Sequence, residues 1–117
     1  MKIIVCGSHN YQNQQLLTKT LRDYTKHHRV SVIVLGQAQG AETMAAEWAM
    51  QNNVRLKIVP TNRQMQGAEA TIERNTRIVE SNSDAAAVLH FMGCEISEDL
   101  CQRALKRNIV VDDVVAS

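Results

Sequence analysis

Aromatic side chains are scarce in this sequence. They make up 3% of it, as Tyr11, Tyr24, Trp48 and Phe91. The core must then be aliphatic, and few rings are left to stack on bases. Charge of one sign is also missing: 13 Lys and Arg stand against 12 Asp and Glu, a formal +1. Residues 1–58 sum to +4 and residues 59–117 to −3, a mild asymmetry with no basic stripe. This argues against bulk nucleic-acid binding. Cysteine is limited to Cys6, Cys94 and Cys101. An odd number without CxxC spacing argues against a disulfide framework or a zinc site. Long apolar runs are absent too. Lys2 is followed by Ile3-Ile4-Val5, too short for a signal peptide or a membrane span. The expectation is a cytoplasmic protein with no membrane partner, metal or cofactor.

What is present is a regular alternation. The 117 residues, 44% of them hydrophobic, fit one domain over 1–117 with a core that needs no staple. Apolar runs rich in Val and Ile occur at 2–6, 32–35, 55–59, 86–91 and 109–111. Polar segments with helical spacing lie between them, at about 12–27, 41–51, 68–80 and 97–106. The expected buried faces are Leu17, Leu21 and Tyr24, then Ala41, Ala45 and Trp48. In the third helix they are Ile72 and Val79 with Thr76 between them. In the fourth, Leu100, Ala104 and Leu105 continue a stripe beginning at Ile96. Continuous apolar strands alternating with helices predict an α/β domain, a mostly parallel sheet of about five strands with helices on both faces. Ligands of such sheets bind outside the carboxyl ends of the strands.

The loops at that edge carry the candidate site. After the first strand come Gly7, Ser8, His9 and Asn10, a tight turn followed by donors and acceptors; Ser8 or Asn10 could equally cap the next helix. After the second come Gly36, Gln37, Ala38, Gln39, Gly40, Ala41 and Glu42. Glycines opening a helix suit a phosphate or carboxylate, with the missing Cβ of Gly40 admitting it to the backbone. The segment is neither GxGxxG nor a P-loop, and a plain tight turn is the alternative. The third connection, 60–67, is long and polar, and Arg74 and Asn75 follow on the helix. Arg74 could clamp a phosphate or serve a surface salt bridge. After the fourth strand come Gly93, Cys94 and Ser97, where Ser97 also reads as a helix cap. Cys6 and Cys94 end strands and read as small apolar filler. His90 reads as a core or sheet-edge histidine, and His27 and His28 as helix-end surface groups.

These elements resemble the YspA- and cpYpsA-related branch of the SLOG superfamily, Rossmann-like proteins that include LOG enzymes and DprA. The first element reads Val5-Cys6-Gly7-Ser8-His9-Asn10-Tyr11. The second reads Gly36-Gln37-Ala38-Gln39-Gly40-Ala41-Glu42, running on into Ala45-Ala46-Glu47-Trp48-Ala49. Gly67-Ala68-Glu69-Ala70-Thr71-Ile72-Glu73-Arg74-Asn75 matches a third, and Phe91-Met92-Gly93-Cys94-Glu95-Ile96-Ser97 loosely matches a fourth. The resemblance implies a Rossmann-like domain that binds nucleotides or nucleotide-derived ligands. It also shows departures. His9 and Asn10 replace an Arg-Asp pair, Gln39 a basic residue, and Ile96-Ser97 a Gly-Thr pair. LOG enzymes hydrolyse nucleoside monophosphates and carry a Glu three residues after that Thr; Leu100 stands at the matching position.

The leading expectation is a binding module for a nucleotide-derived small molecule of ADP-ribose or cyclic-nucleotide type, a sensor or a sequestering sponge, forming homo-oligomers. Two alternatives stand beside it. One is a hydrolase of an N-glycosidic or phosphate bond, using Glu42, Glu73, Glu95 or Glu98. The other is a protein-interaction domain whose ligand loops have decayed.

Overall fold

Every apolar run expected as a strand forms one in the computed structural model, which describes residues 1–115. In chain order the elements are β1 (Lys2–Gly7), α1 (Gln14–His27), β2 (Val32–Leu35), α2 (Ala41–Gln51), β3 (Arg55–Ile58), α3 (Gly67–Glu80), β4 (Ala87–Phe91), α4 (Glu95–Lys106) and β5 (Val110–Val114). The strands form one sheet in the order β3-β2-β1-β4-β5. All of its pairs are parallel. This is the Rossmann-like α/β architecture.

Alternation along β1 distributes the core. Ile3 and Val5 face α1 and α2, where Leu17, Leu21, Ala45 and Trp48 cover them. Ile4 and Cys6 face the other way, under Ile78 and Val79 of α3 and Leu100 and Ala104 of α4. With both sheet faces covered, apolar side chains are needed at every β1 position, which is why the strand reads as an unbroken run. Each fully buried Leu or Ile contributes roughly 1.5–3 kcal/mol.

Several local expectations need correction. Ile72 is 41% exposed, while Ile78 is fully buried. α3 therefore presents the face carrying Ala70, Arg74, Ile78 and Val79 to the sheet. Leu105 and Ile96 are exposed on α4. Ser97 is not the N-cap of α4; Cys94 is, and the Ser97 hydroxyl accepts the Cys94 N–H at 2.9 Å in a capping box. Neither Ser8 nor Asn10 caps α1, because Asn13 does so by accepting the Leu16 N–H. The last strand is Val110–Val114 rather than 109–111, and Ile109 joins the core before it. Among the described residues no helix is long and apolar enough to cross a membrane.

Candidate functional site

The strand order reverses between β1 and β4, and a crevice opens outside the carboxyl ends of strands at such a point. A cavity of about 60 Å³ lies there. Seven expected site residues line it: Gly7, His9, Glu42, Arg74, Asn75, Cys94 and Ser97. Ser8, Asn10, Gly36, Gln37, Gln39, Gly40, Ala41 and Gly93 do not. Cys6, Ala38, Thr71, Ile96 and Leu100 complete the wall. Strand-end position was a sequence signal for Cys6. Thr71 had one only through its helical spacing from Arg74.

The second loop does something other than expected. Glu42, from the first turn of α2, is 2% exposed and folds back onto the loop. Its carboxylate accepts the Gly36 N–H at 2.6 Å and the Ala38 N–H at 3.2 Å. Two amides offered to a ligand phosphate are thus taken by the protein's own anion. Burial pushes the Glu42 carboxyl above its ordinary value, against the opposing pull of Arg74 and the two amides.

Arg74 reaches this carboxylate from α3, with Nη1 3.8 Å from Glu42 Oε1. Gly36 makes the approach possible, because a Cβ there would stand 2.5 Å from Arg74 Nη1. Arg74 Nη2 donates to Asn75 Oδ1 at 3.3 Å. Arg74 is 5% exposed, and its Nε has no hydrogen-bond partner. A buried guanidinium N–H without an acceptor is costly unless a ligand or water supplies one. Asn75 has a structural task as well: its Nδ2 donates to Ile96 O at 2.9 Å and to Asp99 Oδ2 at 3.2 Å, tying α3 to the start of α4.

Gly40 also departs from expectation. It has φ of 77°, and a Cβ there would lie 2.5 Å from Ser8 O and 2.7 Å from His9 O. Its missing Cβ lets the first two loops pack together rather than admitting a phosphate. Ser8, 4% exposed, is the junction: its N–H reaches Met92 O at 2.8 Å and its carbonyl accepts the Tyr11 N–H at 3.1 Å.

Beside the cavity, sheet register builds a polar row that chain spacing hides. Cys6 pairs with His90, and His90 with Asp113, across adjacent strands. His90 Nδ1 lies 2.7 Å from Asp113 Oδ1 and Nε2 lies 2.8 Å from Ser97 Oγ. Cys101 of α4 comes down on the row, its Sγ 3.9 Å from Cys6 Sγ. All three cysteines are free thiols. Hydrogen bonding to Cys101 and Asp113 raises His90 to about 9 against the effect of burial. The Cys6 thiol is pushed up by its contact with Cys101 and by burial.

The family model for YspA and cpYpsA-related SLOG proteins matches residues 1–65, more than half of the chain. The chain belongs to this family. The matched SLOG segment holds the first two site loops; Arg74, His90 and Ser97 lie beyond it. No curated protein matches the sequence. Among solved structures, DNA processing protein A (DprA) from Streptococcus pneumoniae superposes with a TM-score of 0.75 at 19% identity. The match covers 94% of this SLOG chain and 48% of DprA, so the chain spans about half of DprA's length. At that identity the likeness shows the fold alone.

Proposed function

We propose that this SLOG domain binds a nucleotide or nucleotide-derived small molecule, seating an anionic end of it in the cavity between β1 and β4. The observation that carries this reading is the unpartnered Nε of the buried Arg74 in the wall of that cavity. A guanidinium offers planar, charge-assisted donors suited to a phosphate oxygen. The cavity of about 60 Å³ is well below the ~300 Å³ at which sites for whole small molecules begin. Base and ribose would extend outward over His9 and Cys94. Membership of the SLOG family supports the class of ligand, and ADP-ribose or cyclic-nucleotide signals are our choice within it. The module would act as a sensor or a sequestering protein, and self-association is part of the reading. Leu105 and Val110, both half or more exposed, offer apolar surface for it.

DprA is by name a DNA-processing protein. Two features favour a small molecule over nucleic acid for the present chain. Its formal charge is +1. Tyr11, Trp48 and Phe91 are buried and Tyr24 partly so, leaving no fully exposed Phe, Tyr or Trp ring to stack on bases.

The hydrolase reading has one supporting observation: Glu42 lines the cavity with a raised pKa. Glu73 is instead paired with Arg77 at 2.5 Å, and Glu95 and Glu98 are exposed.

The test is a melting-temperature screen with adenine and guanine nucleotides, ADP-ribose and cyclic derivatives, each assayed for turnover. A binder at about 100 times its dissociation constant should add about 2.7 kcal/mol of stability. Stabilisation without product supports the binding module, and product formation supports the hydrolase. No shift at millimolar concentrations across the panel refutes both.

A further inference from the structure

We propose that Cys6, His90 and Cys101 form a binding site for a thiophilic d10 metal cation, with Zn²⁺ as the representative ion and Asp113 orienting the histidine. This goes beyond the ligand reading and does not depend on it.

The site is a product of sheet register. Cys6 and His90 occupy paired positions on β1 and β4, so their side chains emerge side by side on one sheet face. Cys101 closes the group from α4. One ligand atom from each lies within 4.8 Å of the other two, and each residue is 3% exposed. Two thiolates on a tetrahedral Zn²⁺, each at ~2.3 Å, stand roughly 3.8 Å apart. The Cys6 and Cys101 sulfurs are 3.9 Å apart. The separation therefore needs little adjustment to accept an ion.

The surroundings fit as well. Metal-bound histidines characteristically give their second ring N–H to a carboxylate. His90 Nδ1 is 2.7 Å from Asp113 Oδ1, which leaves Nε2 for the ion. Ser97 Oγ now contacts that nitrogen, and it can turn to the Cys94 carbonyl at 3.2 Å, so releasing Nε2 strands no donor. Two sulfurs and one imidazole favour a soft cation over Mg²⁺ or Ca²⁺. Three protein ligands leave a fourth position. Cys6 and Ser97 both line the cavity, giving that position a route to solvent. Ligation needs Cys6 and Cys101 as thiolates and His90 neutral at Nε2, so whatever protons these three groups hold, the imidazolium proton included, leave to solvent as the ion enters.

The full chain, reduced with a phosphine and stripped by a chelator, is titrated with Zn²⁺ against a chromophoric competitor and separately with Co²⁺. The expected result is one ion per chain and a thiolate-to-cobalt charge-transfer band. In alkylation mapping, Zn²⁺ should protect Cys6 and Cys101 and leave Cys94 reactive. Cys6→Ser and Cys101→Ser should each diminish the band, and Cys94→Ser should keep it. Core variants can fail to fold, so Asp113→Asn supplies a surface test. It keeps all three ligands and should weaken zinc about 10–100-fold. No charge-transfer band, together with unchanged alkylation of Cys6 and Cys101, overturns the site. So does zinc that binds Asp113→Asn as tightly as wild type.

Discussion

Arg74 carries five N–H donors, and the fold supplies acceptors for only part of them. Its ion pair with Glu42 is buried on both sides, so removing one partner strands the other charge. Arg74→Ala should destabilise the protein by about 3–5 kcal/mol in urea unfolding. A paired replacement, Arg74→Met with Glu42→Gln, should recover part of that, because the glutamine oxygen can still accept a loop N–H. A single-variant loss under about 1 kcal/mol would show that the pair is not shielded. Glu42 also sets a pH dependence. Its folded pKa is raised above the ordinary 4.5, so its favourable contribution is fully present below that value. That contribution is lost as pH rises through the folded pKa. Wild type should therefore lose stability relative to Glu42→Gln as pH climbs from 4.5, and a constant difference would contradict the burial argument. Gly40→Val forces a side chain into a backbone with φ of 77° and against two carbonyls. It should cost about 1–3 kcal/mol or more from strain, visible as a lowered urea midpoint.

At the scale of elements, α3 separates what was legible in the sequence from what was not. The strands and the helices were readable because burial on both sheet faces demands unbroken apolar runs between polar, periodic segments. The rotation of α3 was not. Its sheet-facing side includes Arg74 and Asn75, polar residues that periodicity assigns outward, so Ile72 took the inward place that belongs to Ile78. Ile72→Ser should stay within about 0.5 kcal/mol of wild type, whereas Ile78→Ala should cost about 2–5 kcal/mol. Equal losses would restore the face read from the sequence. The loops show the same division. Their glycines marked the strand-end edge correctly. That Glu42 would occupy the amides of its own loop depends on a backbone path that no spacing reveals. Cys6 and Cys101 are separated by 95 positions, and only the register of β1 with β4 and the descent of α4 bring them to His90.

For the whole molecule, a parallel sheet that reverses its order beside β1 creates one crevice, and the chain lines it with a mixture of apolar and polar groups. Leu100, 1% exposed, lines that cavity at the position where the resemblance to LOG enzymes implies an acid. The Leu100 side chain cannot stabilise the oxocarbenium-like charge of glycosidic cleavage as a carboxylate at that position would. AMP and GMP should release no ribose 5-phosphate above a buffer control; turnover that tracks the protein through purification would contradict this. The central claim is that Arg74 Nε meets an anionic group of a nucleotide-derived ligand in that crevice. Its most direct test is calorimetric titration of the best-stabilising nucleotide into wild type and Arg74→Lys. Lysine keeps the positive charge beside Glu42 and hence the fold, but lacks the Nε donor. Loss of one charge-assisted hydrogen bond, about 1.5–3 kcal/mol, should weaken binding roughly 10–100-fold while circular dichroism stays unchanged. Equal affinity in the two folded proteins would place the ligand away from Arg74 and contradict the account.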